Sequence, residues 1–89
     1  MDDSVWVFNG DNCRFAGGIF TDILKAEKWI KENKLSGILT CYPVDTGVYQ
    51  WAIDNKRFTP KSEKHSTPEF IGGFTTASPQ HYHYENGER

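Results

Sequence analysis

Short apolar segments, each ended by glycine, proline or asparagine, recur along the chain, and the first two predict a β-hairpin. Residues 4–9 contain the β-branched and aromatic run Val-Trp-Val-Phe, and the Asn-Gly pair that follows it is a strong hairpin signal. A second extended segment covers residues 13–20. Its Gly17-Gly18 pair indicates a β-bulge or the close approach of another element.

Three later segments have the pattern of short helices. Apolar residues recur at helical spacing over 22–34 and again over 48–54, and a third helix begins near residue 66 and ends before Ser78-Pro79. A suitable N-cap residue stands in front of each helix, namely Thr21, then Asp45 or Thr46, then Ser66. The first helix has a Lys/Glu face that we expect to be solvated, with an ion pair between Glu27 and Lys31.

Two further segments predict strands, residues 38–42 and the alternating His-Tyr segment 81–84. The element order is then β-β-α-β-α-α-β. This order predicts a small α+β domain with a mostly antiparallel four-stranded sheet and the helices packed on one face. With 89 residues the chain has room for one core, so we expect a single domain over 1–89, with frayed ends at about 1–4 and 87–89.

The last strand decides which chemistry the chain can support. Successive side chains of a strand point to opposite faces, so the two tyrosines share one face and His81 and His83 share the other. In one interpretation the tyrosines belong to the core and the imidazoles are half exposed. In the other, His81 and His83 bind a metal, in a small metal-binding protein or a metal-dependent enzyme. A zinc site needs a third and usually a fourth ligand, and no other residue stands at a diagnostic spacing.

Composition and charge narrow the classes of function. The formal charge of −2 and the pI of about 5.8 are not typical of a nucleic-acid-binding domain. The basic loop at 56–64, with Phe58 between its cations, predicts either a solvated loop or a segment that holds a phosphate backbone.

No secretory signal and no apolar run of about 20 residues is present, so we expect no membrane segment. Cys13 and Cys41 are two isolated thiols, which favours a cytoplasmic protein without a disulfide framework. We expect no cofactor.

Four sequence blocks that together cover most of the chain resemble a family of small, mostly bacterial, functionally uncharacterised domains. The blocks read VWVFNG, AEKWI, YPVDTGVYQWAI and FTTASPQHYHY. The resemblance implies no activity. In size and mildly acidic balance the chain is similar to immunity proteins, which neutralise a toxin by covering its active site.

These observations lead to one functional hypothesis and one alternative. No nucleophile elbow, H-E-x-x-H or cysteine-protease signature is present, so we favour a non-catalytic protein-binding module, in particular an immunity-type inhibitor of a bacterial toxin or effector. A face with Tyr42, Asp45, Tyr49 and Asp54 would cover a basic surface of the partner. The alternative is the metal-binding protein or metal-dependent enzyme with His81 and His83.

Overall fold

The computed structural model describes residues 3–89 and contains two compact units. The first unit combines the chain up to Val44 with Pro79–Arg89, and the second unit is Asp45–Ser78. The expectation of a single domain over residues 1–89 stays a prediction. Residues 1 and 2 of the predicted frayed segment lie outside the described residues, whereas Ser4 already begins a strand.

The first unit is built on a four-stranded antiparallel sheet with the strand order β2-β1-β3-β4. Its strands and its helix are β1 (Ser4–Gly10), β2 (Ala16–Phe20), α1 (Ile23–Glu32), β3 (Gly37–Pro43) and β4 (His81–Tyr84). The second unit holds the two later helices, so the α+β fold class and the order β-β-α-β-α-α-β are confirmed. The packing of those later helices on the sheet stays a prediction.

One face of the sheet packs against α1 and forms the core of the first unit. Strand alternation places Phe8, Leu39 and Tyr84 on this face, where Leu39 is 0% exposed and Tyr84 is 6% exposed. Ala26 and Ile30 of α1 are fully buried against them. Partly buried apolar side chains surround this core, namely Trp6, Phe20, Ile23, Trp29, Leu35 and Tyr82. The prediction that the β4 tyrosines face the core is therefore confirmed.

The opposite face of the sheet carries β-branched residues and the two imidazoles. Val7 pairs with Ile19 on one side and with Thr40 on the other, and Thr40 pairs in turn with His81. Ile19, on strand β2, is 66% exposed. His83 is also exposed.

The β1–β2 hairpin differs from the prediction in its turn. β1 continues through Gly10, and β2 begins at Ala16 instead of residue 13. The turn forms around Asn12, which adopts a left-handed φ of 61° that asparagine tolerates better than most residues. The Cys13 N–H donates to the Gly10 carbonyl at 3.1 Å and closes this turn.

The glycine pair of β2 has both predicted roles. The register shifts between Phe8, which faces Gly18, and Asn9, which faces Ala16, so Gly17 is the extra residue of a bulge. A Cβ at Gly18 would lie 3.2 Å from Cζ3 of the Trp29 ring, so α1 also approaches closely here.

The first helix is shorter than the predicted 22–34 and has a different N-cap. Asp22, not Thr21, caps it, because the Asp22 carboxylate accepts the Leu24 N–H at 2.9 Å. The helix ends at Glu32, and Lys34 beyond it takes a left-handed φ of 53°.

The second unit contains α2 (Val48–Asp54), a 3-10 helix (Glu63–Ser66) and α3 (Pro68–Gly72). The 3-10 helix begins inside the stretch predicted to be a loop and continues to Ser66, and α3 is shorter than the predicted third helix. No helix in the described part of the chain is long and apolar enough to cross a membrane.

Both predicted N-caps of the second unit are wrong. Gly47 caps α2, whereas Asp45 takes a left-handed φ of 63° outside the helix. Thr67 instead of Ser66 caps α3, and its Oγ1 accepts the Phe70 N–H at 3.2 Å. A proline directly after Thr67 disfavours the helical conformation there, so this residue is extended and suited to the cap.

The close packing of β3 against β1 at Gly37 can be tested by substitution. A Cβ at this position would overlap the carbonyl oxygen of Asn9 and lie 2.7 Å from Cζ of Phe8. We therefore expect Gly37→Ala to lower the free energy of unfolding by about 1–3 kcal/mol, measured by urea denaturation. Gly72→Ala is the control: open space surrounds Gly72, which belongs to helix α3, so this variant should be no less stable than the wild type. If Gly37→Ala also keeps wild-type stability, the close approach at Gly37 is wrong.

Candidate functional site

The residues predicted to contact a partner are divided between the two units. Tyr42 is half-buried on β3 of the first unit. Asp45, Tyr49 and Asp54 belong to the second unit, in which Asp45 and Asp54 are exposed. Positions five apart on a helix do not face each other, so Tyr49 and Asp54 are directed to different sides of α2. Asp54 Oδ1 accepts a hydrogen bond from Gln50 at 2.8 Å. Their role in partner binding stays a prediction.

Tyr49 is engaged inside its own unit. Its ring centroid lies 5.5 Å from that of Phe74, 5.9 Å from Phe58 and 6.2 Å from Phe70. Its hydroxyl donates to the His65 carbonyl oxygen at 2.7 Å, which satisfies the polar end of a half-buried side chain. We call these five residues, Tyr49, Phe58, His65, Phe70 and Phe74, the aromatic cluster.

His65 fixes the loop that follows α2 to the aromatic cluster. Its ring stacks on Phe70 with 4.8 Å between the centroids. Its Nδ1 accepts the Lys61 N–H at 3.0 Å, so this nitrogen carries no proton in the structure. The 3-10 helix therefore brings an imidazole and a backbone carbonyl to the same cluster.

A groove of about 490 Å³ opens beside the aromatic cluster. Phenylalanine rings, one cation, one anion and small residues line it: Arg57, Phe58, Glu69, Phe70, Gly73, Phe74, Thr75 and Thr76. We call it the aromatic groove. Its volume lies within the range of about 300–1,000 Å³ typical of ligand sites, and its apolar surface suits an apolar side chain.

The aromatic groove was not predicted from the sequence. The signal that points to it is the concentration of Tyr49, Phe58, Phe70 and Phe74 in a unit with little regular structure. For this part of the chain the basic residues of the 56–64 loop instead predicted a solvated loop or a phosphate-binding segment. In Asp45–Ser78 four lysine and arginine residues balance four aspartate and glutamate residues, so this unit has no excess of positive charge.

The two imidazoles of β4 lie side by side, as predicted. The ring centroids of His81 and His83 are 5.4 Å apart, and Nδ1 of His81 lies 2.9 Å from the Pro79 carbonyl oxygen. Within residues 3–89 no group of three or more His, Cys, Asp or Glu side chains is arranged to hold a metal. One chain thus supplies two ligands, fewer than a structural zinc site takes.

A polar network connects α1 with the chain end. The Tyr84 hydroxyl donates to Glu27 Oε2 at 2.6 Å, and Arg89 reaches the same oxygen through Nε at 2.8 Å and Nη2 at 2.6 Å. The guanidinium carbon of Arg89 lies 3.8 Å from the ring centroid of Tyr82. The predicted ion pair of Glu27 with Lys31 is wrong, because the carboxylate of Glu27 is directed to Tyr84 and Arg89.

The segment that follows β4, although predicted to fray, makes defined contacts. The Gly87 N–H donates to the Leu35 carbonyl oxygen at 2.8 Å, and Asn86 N–H donates to Ser36 Oγ at 2.9 Å. These bonds hold the turn that brings Arg89 to Glu27.

The network shifts two pKa values. Burial of the phenol, together with its hydrogen bond to Glu27, raises the pKa of Tyr84 to about 12. The hydrogen bond from Tyr84 lowers the pKa of Glu27 below its ordinary 4.5, partial burial opposes this shift, and Arg89 adds to it. The network is therefore most stable with Tyr84 protonated and Glu27 ionised.

These shifts predict how Tyr84→Phe changes stability with pH. At pH 7 we expect the free energy of unfolding of the variant to be lower by about 1.5–3 kcal/mol, the order of a hydrogen bond to a charged group. The wild-type advantage should fall as the pH rises from 10 towards 12, because the folded state then loses its preference for the protonated phenol. It should also fall as the pH drops below 4.5 and Glu27 takes up a proton.

Urea denaturation across this pH range measures the free energy of unfolding of the wild type and of Tyr84→Phe. Tyr82→Phe is the control, because the Tyr82 hydroxyl accepts a bond from Gln80 and contacts no carboxylate. A constant difference between the wild type and Tyr84→Phe from pH 4 to 12 would show that the Tyr84–Glu27 bond does not form.

Comparison with known proteins gives a family but no activity. Searches of curated proteins and of solved structures each found no match. Residues 5–89 match the family model described as "Domain of unknown function (DUF7710)", which covers β1 through Arg89. The resemblance noted in the sequence is thereby confirmed at the level of the family: the chain belongs to the DUF7710 domain family.

Proposed function

We propose that this domain is a non-catalytic protein-binding module and that the aromatic groove is its binding site. The observation that carries the proposal is an open groove of about 490 Å³ with three phenylalanine side chains in its lining. An apolar side chain of a protein partner would insert between these rings. Burial of such an anchor in an aromatic pocket is the usual origin of strong local binding energy in protein interfaces.

The aromatic cluster makes the groove rigid enough for this role. Tyr49 contacts Phe58, Phe70 and Phe74, and its hydroxyl is held by the His65 carbonyl. A preformed pocket loses little side-chain entropy when an anchor binds. Tyr49 therefore contributes to binding by positioning the phenylalanines of the groove.

Charges at the groove restrict the partner. Arg57 and Glu69 both line it, so the anchor of the partner should be flanked by groups that pair with one cation and one anion. Asp45 and Asp54 are exposed in the same unit, and we propose them as additional contacts to a basic surface. Exposed charges of this kind mainly raise the rate of association.

The narrower form of the proposal is an immunity-type inhibitor. The partner would then be a bacterial toxin or effector whose active site this domain covers. Its support is the similar size and acidic balance of immunity proteins. The test is a titration of the captured partner with this domain while the activity of the partner is measured. Full activity of the partner at an equimolar amount of the domain would contradict inhibition.

A groove-filling substitution tests the binding site. Thr75 is exposed and lines the groove, so Thr75→Trp should fill it without removing a ring of the aromatic cluster. We expect Thr75→Trp to weaken partner binding at least tenfold, which corresponds to about 1.4 kcal/mol. The partner is identified by affinity capture with the wild-type domain and mass spectrometry, and its Kd is measured by calorimetry.

The control is Ser62→Trp, at an exposed serine of the same unit outside the groove lining and away from the proposed contacts. Thermal melting should be unchanged for both variants. Equal Kd values for wild type, Thr75→Trp and Ser62→Trp would refute the groove as the site. If no protein binds the wild type at defined stoichiometry, the binding function itself is wrong.

A further inference from the structure

The chain segment 74–77, which borders the aromatic groove, has free backbone groups. Thr75 and Thr76 belong to the groove lining, and this segment forms neither a helix nor a strand. Within the described residues, no backbone–backbone hydrogen bond uses the N–H or the carbonyl of Thr75, Thr76 or Ala77. Because an unpaired backbone group is costly when it is buried, these groups are open to solvent. A polar strip of main chain thus lies beside an apolar groove.

The side chains of this segment alternate in burial. Phe74 and Thr76 are half-buried, whereas Thr75 and Ala77 are exposed. A period of two is typical of an extended backbone, in which successive side chains point to opposite sides. The segment 74–77 therefore offers its backbone groups in the way that an unpaired edge strand does.

Both ends of the segment are held in place. At one end the ring centroid of Phe74 lies 5.0 Å from that of Phe58 in the aromatic cluster. At the other end Thr76 Oγ1 accepts the Ser78 N–H at 3.3 Å. A segment that is fixed before binding loses little conformational entropy when a partner pairs with it.

We propose that the aromatic groove binds an extended peptide segment of the partner, which adds as a strand along residues 74–77. This inference rests on the proposed function and names the kind of partner segment that the groove takes. In strand addition, main-chain hydrogen bonds supply affinity and pockets for alternate side chains supply specificity. Here the free groups of Thr75, Thr76 and Ala77 supply the bonds, and the groove takes the apolar side chain.

The free main chain beside the groove favours a strand over a helix as the occupant. The backbone groups inside a helix bond to one another, so a docked helix would offer only its side chains. An extended peptide has free N–H and C=O groups along its edge, and every second side chain points to the same side. It can therefore pair with the segment and fill the groove at the same time. The partner segment is a loop, a chain end or an edge strand.

The charged residues of the groove define the neighbours of the apolar anchor. Arg57 and Glu69 both line the groove. Charge complementarity then requires one acidic and one basic residue in the peptide, on either side of the anchor.

A set of synthetic heptapeptides tests the proposal on the full chain. Each peptide has a central Phe, Leu, Ile or Trp between two valines, then a threonine on each side, with Asp at one end and Lys at the other, in both orders. Binding is measured by calorimetry. We expect at least one peptide to bind at one per chain, and Thr75→Trp to abolish that binding because it fills the groove.

Proline substitutions separate main-chain pairing from side-chain contacts. Successive N–H groups of an extended segment point to opposite edges, so only one of Thr76 and Ala77 donates to the peptide. One of the variants Thr76→Pro and Ala77→Pro should weaken peptide binding about tenfold, since proline removes the donor, and the other should bind like the wild type. Thr76→Val and Ala77→Val keep the N–H and are the matched controls, with wild-type affinity expected for both.

Amide hydrogen exchange of the wild-type domain gives the same information without a substitution. The bound peptide should slow exchange at Thr76 or at Ala77, but not at both. This measurement decides the question if a proline variant melts at a lower temperature than the wild type.

Three results would overturn the proposal: no peptide of the set binds the wild type, both proline variants bind like the wild type, or the bound peptide slows exchange at neither position. The proposed function is judged separately, by the effect of Thr75→Trp on a captured protein. If Thr75→Trp weakens that protein while no peptide binds, the aromatic groove is the site and its occupant is not an extended segment.

Discussion

The register of β3 between β1 and β4 is the constraint on which the first unit depends. Leu39, which is fully buried, pairs with Phe8 on one side and with Tyr82 on the other. Strand side chains alternate, so this single register decides both faces of the sheet at once. A slip of β3 by one residue would move Leu39 to the opposite face of the sheet, and a slip of β4 by one residue would turn the imidazoles of His81 and His83 towards α1.

The buried side chain of Tyr84 forms a hydrogen bond that joins β4 to α1. A phenol placed in the core needs an acceptor, because an unpaired buried hydroxyl is costly. Glu27 of α1 supplies the acceptor, and Arg89 balances its charge. Packing of α1 on the sheet is thus linked to the position of the chain end, and the raised pKa of Tyr84 follows from the same contacts.

The second unit is not built on a sheet. Its helices are short, it has no strand among the described residues, and the partly buried rings of the aromatic cluster pack against one another. Phe58, Phe70 and Phe74 lie together around Tyr49, and this cluster has one open side. A small unit cannot cover all of its large rings, which is why a groove forms there and why it offers apolar surface to a partner.

The sequence by itself determined the element order, the inward direction of the β4 tyrosines, a bulge or close approach at the Gly17-Gly18 pair, and the family, because each depends on local periodicity or on a continuous motif. Only the tertiary structure decided the partner of Glu27 and the aromatic groove. The caps depend on local bonds, from the Leu24 N–H to Asp22 and from the Phe70 N–H to Thr67, but residue type alone did not tell these residues from their capping neighbours Thr21 and Ser66. Contacts between residues distant in sequence, such as Glu27 with Tyr84, depend on how the elements pack, and no short pattern encodes them.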